Sequence, residues 1–190
     1  RYQSKNIDYN SMFLIELFSG LRMGEICALT PCDIDLENQI IHVRNTITRG
    51  LDYRAVVGNK TKTPKGFRDV PINDYLKTVL KVVLDNYVEN DCNLLFYNEK
   101  MNRPVSTQQA NDFHRLCKSA GLQTTGGQHT LRHTFATRCI EADIPPEVIM
   151  TWLGHTDISI TINTYCDVFA KRQNKAIDKF SKYCNENLIV

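Results

Sequence analysis

Apolar residues from Met12 to Leu21 (Met12, Phe13, Leu14, Leu17, Phe18 and Leu21) return at helical spacing, and Gly20 loosens the end of the pattern. The spacing predicts a helix that stops near Gly20. A shorter helix is expected from Met23 to Leu29, with a turn at Pro31 and the acidic stretch CDID. The period then changes. Residues 39–48, QIIHVRNTIT, and 53–57, YRAVV, are rich in β-branched and aromatic side chains. GNKTKTPKG carries turn chemistry, and FRDVPI resumes an extended pattern, so a small antiparallel sheet of three strands is expected.

Helical spacing returns after Asn73 and Asp74, either of which can cap a helix with Leu76, Val79, Leu80, Val83, Leu84 and Tyr87 on one face. Ser106 and Gln109 have capping-box spacing ahead of Phe113, Leu116 and Cys117, and Gly121 supplies the stop. Further helices are predicted from Thr130 to Ala142, from Pro145 and Pro146 to Gly154, and after Asp157. The tail 170–190 places Ala176, Ile177, Phe180, Tyr183 and Cys184 on one stripe, with Lys175, Lys179 and Lys182 off it. The chain reads as α+β, mostly helical, with one small sheet.

Composition narrows the picture. A chain of 190 residues with 42% hydrophobic content can bury a core in one domain. Twenty-three basic and 21 acidic side chains leave a net charge of +2, so a basic surface has to be local. Candidate clusters are Lys60, Lys62, Lys65 and Arg68; Arg44, Arg49 and Arg54; and Lys171, Arg172 and Lys175. Seven cysteines without a C-x-x-C pair read as reduced, mostly buried small residues of a cytoplasmic protein. No apolar run approaches the roughly 20 residues that cross a bilayer, and no signal-type segment opens the chain, so neither export nor a membrane partner is expected. The first residue is Arg1 rather than Met, which suggests a piece or processed product of a longer chain.

Chemistry concentrates at residues 129–155, HTLRHTFATRCIEADIPPEVIMTWLGH, which hold three of the five histidines. On a helix His129, Arg132 and His133 share a face. H-x-x-x-H spacing suits zinc, but the protease form needs Glu after the first His, where Thr130 stands, and the Arg132 cation would repel a metal. No metal or other cofactor is expected. A structural reading has a histidine capping a helix and an arginine paired with an acid. The grouping favours phosphate instead, because arginine offers a permanent planar fork of donors, imidazoles add directional ones, and a helix N-terminus attracts anions.

These residues resemble the tyrosine recombinases, or phage-type integrases. HTLRHTFAT and WLGHTDISITINTY, ending at Tyr165, are similar to the family's C-terminal signature. LFSGLRMGEICALTPCDIDLENQIIHV resembles its first arginine box, and NKTKTPKGFRDVPI its lysine-bearing hairpin. The four boxes fall in the family's order over residues 10–168. The resemblance implies that Arg22 and Arg132 clamp phosphate, Tyr165 is the nucleophile, His129 and His155 complete the set, and Lys62 is the hairpin lysine, with Lys60 and Lys65 crowding the same turn. Glu25 and His133 are supporting residues, with packing or an indirect role expected for His133. Lys60, Lys65 and Arg68 are candidate DNA contacts.

The implied reaction is transesterification. Tyr165 takes a DNA phosphodiester to form a 3′-phosphotyrosyl link, the arginines and His155 neutralise charge on the phosphorane, His129 assists removal of the phenol proton, and Lys62 protonates the departing 5′-oxygen. The family further implies double-stranded attachment sites, a monomer when free, a homotetramer on DNA, and accessory directionality or DNA-bending proteins. It also implies a place at the bacterial nucleoid in integrating or excising a mobile element. Residues 1–173 are expected to form the catalytic domain and 174–190 a tail helix that docks on a neighbouring subunit or folds back on its own domain, with DNA-binding domains lying N-terminal to this chain. Two other readings remain: a type IB topoisomerase, which cleaves and reseals as a single protein, and a DNA-binding relative without the chemistry. The intact set of Arg22, Lys62, His129, Arg132, His155 and Tyr165 argues against the second.

Overall fold

Asp8 opens the first helix, α1 (Tyr9–Ser19), by accepting a hydrogen bond from the Ser11 amide at 3.1 Å. Met12, Phe13 and Ile15 are buried, and so is Glu16, so this helix is enclosed on most sides. It ends at Gly20, whose φ of 67° is left-handed and whose amide donates back to the Glu16 carbonyl at 2.9 Å. The structure, a computed structural model, describes residues 8–49, 55–58, 67–105, 110–123, 126–127, 129–155 and 166–187. The predicted capping box at Ser106 and Gln109, and the helix start after Asp157, lie outside those residues.

Helix α2 (Met23–Cys27) follows at once, with Arg22 at its N-cap and the Glu25 carboxylate accepting from the Arg22 amide at 2.8 Å. The CDID turn contains a 3-10 turn (Pro31–Asp33) and then a short strand, β1 (Ile34–Asp35). Strands β2 (Ile40–Val43), β3 (Thr46–Arg49), β4 (Ala55–Gly58) and β5 (Arg68–Pro71) come next.

The three-stranded antiparallel sheet exists, but its membership differs from expectation. Its order is β1-β2-β5, with Ile41 opposite both Ile34 and Val70. The segment 39–48 is broken at the polar pair Arg44 and Asn45, and its second half, β3, pairs with β4 in a separate ribbon.

Asn73 caps α3 (Asp74–Asp85) by accepting from the Leu76 amide at 2.9 Å, and Leu76, Leu80 and Val83 face the core as their spacing predicts. A ribbon of β6 (Tyr97–Asn98) and β7 (Arg103–Pro104) precedes α4 (Ala110–Ser119), which buries Phe113 and Cys117. Then come α5 (His129–Glu141), α6 (Pro146–Leu153) and α7 (Cys166–Asn187). The large apolar cluster joins α1, α2, the sheet, α3 and α4, and a smaller one joins α5 to α6 through Ala136, Cys139, Ile140, Ile149 and Leu153. Cys27, Cys117 and Cys139 are buried, but Cys32 and Cys92 are exposed, so the cysteines are less uniformly interior than expected. Among the described residues no helix is long and apolar enough to cross a membrane.

Candidate active site

Two helices end where the two apolar clusters meet. Helix α6 stops at Gly154, with φ 63°, as α1 stops at Gly20. The last carbonyls of a helix lack intrahelical partners and carry its negative dipole end, so they attract cationic donors. Three successive carbonyls, the last two of α6 and that of its cap Gly154, each hold a different arginine. Trp152 accepts from Arg68 Nε at 2.7 Å, Leu153 from Arg132 Nη2 at 2.6 Å, and Gly154 from Arg22 Nη2 at 3.4 Å. Arg132 Nη1 also donates to the Gly20 carbonyl at the end of α1.

Both glycines are required by this packing. A Cβ at Gly20 would sit 2.4 Å from the Phe135 ring, and one at Gly154 2.9 Å from Arg68 Nη1.

Arg22 and Arg132 are therefore brought together from segments 110 positions apart, and His155 joins them. Its Nε2 lies 3.1 Å from Arg132 Nη2. A guanidinium only donates, so His155 Nε2 is the acceptor and its ring is neutral in this arrangement. Burial, with the charges of Arg132, Arg22 and Arg68, brings its pKa down to about 4. A neutral His155 ring offers hydrogen bonds and no positive charge. Arg132 is only 8% exposed, whereas the Arg22 side chain is 43% exposed and is the open member of the pair.

Glu25 ties the arginines to each other. It takes a bidentate bond from Arg68, at 2.9 and 2.8 Å, and accepts from Arg22 Nη1 at 3.1 Å. Burial alone would raise its pKa, but the Arg68 bonds and charge, with the amide and charge of Arg22, outweigh that and hold it below the ordinary carboxylate value. Arg68 corrects an expectation. Read as a DNA contact, it is 8% exposed and committed to Glu25 and Trp152. The signal was strand alternation: Arg68 and Val70 lie on the inner face of β5, Asp69 and Pro71 on the outer.

His129 stands at the start of α5 with its ring 68% exposed and Nδ1 3.9 Å from Glu16 Oε1. Burial and the charges of Arg132, His133 and Arg22 lower its pKa. His133, one turn on, is exposed. Glu16 was not anticipated at all. It is 0% exposed, and neither carboxylate oxygen has a hydrogen-bond partner among the described residues. Its signal was one acid inside the apolar run MFLIELF. Lys60, Lys62, Lys65 and Tyr165 lie outside the described residues. Among the described residues no group of three or more His, Cys, Asp or Glu could hold a metal.

A mostly helical domain that gathers arginines and histidines around one open guanidinium matches the catalytic domains of solved tyrosine recombinases. The Tn1549 transposon integrase in complex with circular intermediate DNA superposes with a TM-score of 0.72 at 28% identity, over 82% of this chain and 54% of that one. The XerA recombinase shares the fold, with a TM-score of 0.64 at 22% identity over 96% of this chain and 59% of that one. The phage integrase family matches residues 1–172, and the chain belongs to that family. The integrase of Staphylococcus phage L54a is 29% identical over 93% of this chain and 54% of its own length. The transposase of transposon Tn916 from Enterococcus faecalis is 32% identical over 85% of this chain and 42% of its own length. The chain thus spans about half the length of these relatives.

Proposed function

We propose that this chain is the catalytic domain of a site-specific DNA recombinase that integrates or excises a mobile element through a 3′-phosphotyrosyl intermediate. The observation that carries the reading is the convergence of Arg22, Arg132 and His155 on the ends of α1 and α6. A phosphodiester repels an attacking oxygen, and permanent cations fixed beside it offset the charge that builds on the phosphorane. Arg22, as the exposed fork, meets the phosphate first. Arg132, held by two helix ends, is preorganised behind it. His155 adds a neutral donor whose pKa rises once an anionic phosphate sits beside it.

Tyr165 attacks phosphorus, its phenol proton leaves with help from His129, and the bond to the 5′-oxygen breaks as Lys62 supplies that oxygen's proton. A 5′-hydroxyl from a second duplex reverses these steps on the new partner. Lys60 and Lys65 contact the DNA backbone, while Glu25 and Arg68 hold the arginines in place.

The solved relatives bound to circular intermediate DNA and to the difH site support a double-stranded attachment site as partner. Four protomers pair two duplexes, with the free protein a monomer. Accessory directionality or bending proteins act on the same DNA, at the nucleoid, and further DNA-gripping domains belong to the full-length protein. Residues 174–190 form the tail that docks on a neighbouring subunit. In support, Ile177, Phe180 and Tyr183 are exposed on α7, although one ion pair, Lys179 to Asp143 at 3.2 Å, ties this helix to its own domain.

The deciding experiment mixes the protein with a nicked suicide duplex of its attachment site, in chelator, and looks for a covalent adduct. Wild type forms it and Tyr165→Phe does not. An adduct that survives Tyr165→Phe means another nucleophile, and none with wild type on its own site removes the reading.

A further inference from the structure

The mechanism above uses no acid on α1, yet Glu16 is the most completely buried charged residue in the site. With 0% exposure and both oxygens unpartnered among the described residues, its carboxyl lacks the hydrogen bonds that a buried polar group ordinarily finds. His129 Nδ1 can supply one from 3.9 Å away from Oε1. A shift of about 1 Å by the ring brings that pair within bonding range. The opposite ring nitrogen, Nε2, is the one left to serve chemistry.

We propose that Glu16 is a positioning residue that decides which ring nitrogen of His129 carries the proton. This deepens the recombinase reading and rests on His129 belonging to its site. When the carboxyl is protonated, its O–H donates to Nδ1, so the neutral ring holds its proton on Nε2 and presents a donor to a phosphate oxygen. When the carboxyl is ionised, it accepts from Nδ1–H, and Nε2 exposes a lone pair that can take the Tyr165 phenol proton. Each exchange moves one proton to or from solvent and leaves the imidazole neutral.

The surroundings fix where the change occurs. Burial pushes the Glu16 pKa up to about 8, against the opposing charge of Arg132. From α5 it faces Arg132 and His129. From α2 it faces Cys27, whose own pKa, pushed up to about 12, keeps it neutral through this range. Arg22, Arg132 and His133 act on His129 and disfavour its cationic form, which keeps the neutral tautomers in play.

The test uses the 190-residue chain labelled with nitrogen-15 in its histidines. Two-bond proton–nitrogen correlation spectra are recorded from pH 6.5 to 9.5, and His129 is assigned by its loss in His129→Gln. In wild type the protonated and unprotonated nitrogen signals of His129 exchange places through pH about 8. Glu16→Gln keeps the proton on Nε2 throughout, and Glu16→Leu, which keeps the site apolar should the amide disturb folding, gives a tautomer ratio independent of pH. A wild-type ring that keeps one tautomer throughout, or an equal exchange in either variant, overturns the proposal. A missing exchange beside a Tyr165-dependent adduct removes Glu16 alone, whereas an exchange with no adduct removes the recombinase reading alone.

Discussion

Arg68 and Glu25 form an ion pair at the centre of the site. Both are nearly buried, and the pair is bidentate. Arg68→Leu leaves the Glu25 carboxylate buried with Arg22 as its remaining cation, and breaking such a pair costs about 3 kcal/mol. Urea unfolding should report that loss, and a double change to Arg68→Met and Glu25→Met should cost less than the two single changes summed.

Glu16 predicts a pH dependence of stability. Its pKa is raised from 4.5 to about 8, so the native state holds a proton that the unfolded chain releases. The stability it contributes is complete below 4.5 and lost as pH rises through about 8. His155 works in the other direction. Its pKa falls from 6.5 to about 4, so its contribution is complete above 6.5 and lost as pH falls towards 4. Between pH 6.5 and 8 only the Glu16 slope remains of these two, and stability should drop by about 2 kcal/mol over that range. Glu16→Gln should flatten the slope in urea titrations at stepped pH, and a slope of unchanged size contradicts the assignment.

At the level of elements, the helix ends matter more than the helix faces. Gly20 and Gly154 stop α1 and α6 so that their free carbonyls converge on three arginines. Gly20→Ala combines a left-handed backbone, costing about 1 kcal/mol, with a Cβ 2.4 Å from Phe135. A loss of about 2–4 kcal/mol is expected in thermal unfolding. The effect should extend to function, since the Gly20 carbonyl holds Arg132.

Much of this level was legible in the sequence. The α3 stripe, the Asn73 cap and the two glycine stops follow from period and punctuation. The sheet was less so: β2 and β3 form one β-branched run, and only long-range pairing shows that they belong to different sheets. Arg68 misled because it follows three lysines in a hairpin, where charge reads as surface, while its inward face depends on strand register. That Arg22 and His155 belong to one site was implied by the family resemblance alone, since no local pattern links residues so far apart.

The whole molecule places the site at the seam between its two apolar clusters, with Phe135, packed on the smaller cluster, lying against Gly20 at the end of α1. One helix, α7, runs without a break across the expected boundary at residue 173 and presents Ile177, Phe180 and Tyr183 to solvent. Scattered apolar residues on a surface need no partner, but a stripe along one helix suits a docking face. Removing residues 174–190 should leave adduct formation within about threefold, a barrier change of under 1 kcal/mol, while weakening multimers on DNA in sedimentation. Unchanged multimers would place the tail's role within its own subunit.

In the proposed reaction, fixed guanidinium charge is what the scissile phosphate requires. A duplex with a neutral methylphosphonate at the cleavage position removes that requirement, because the linkage no longer repels the phenol oxygen. Arg22→Ala and Arg132→Ala should form almost no adduct on ordinary DNA, a loss of about 10²–10³-fold for one stabilising donor, and should recover most of it on the neutral linkage. Equal loss on both substrates would mean that the arginines support the fold rather than the charge of the transition state.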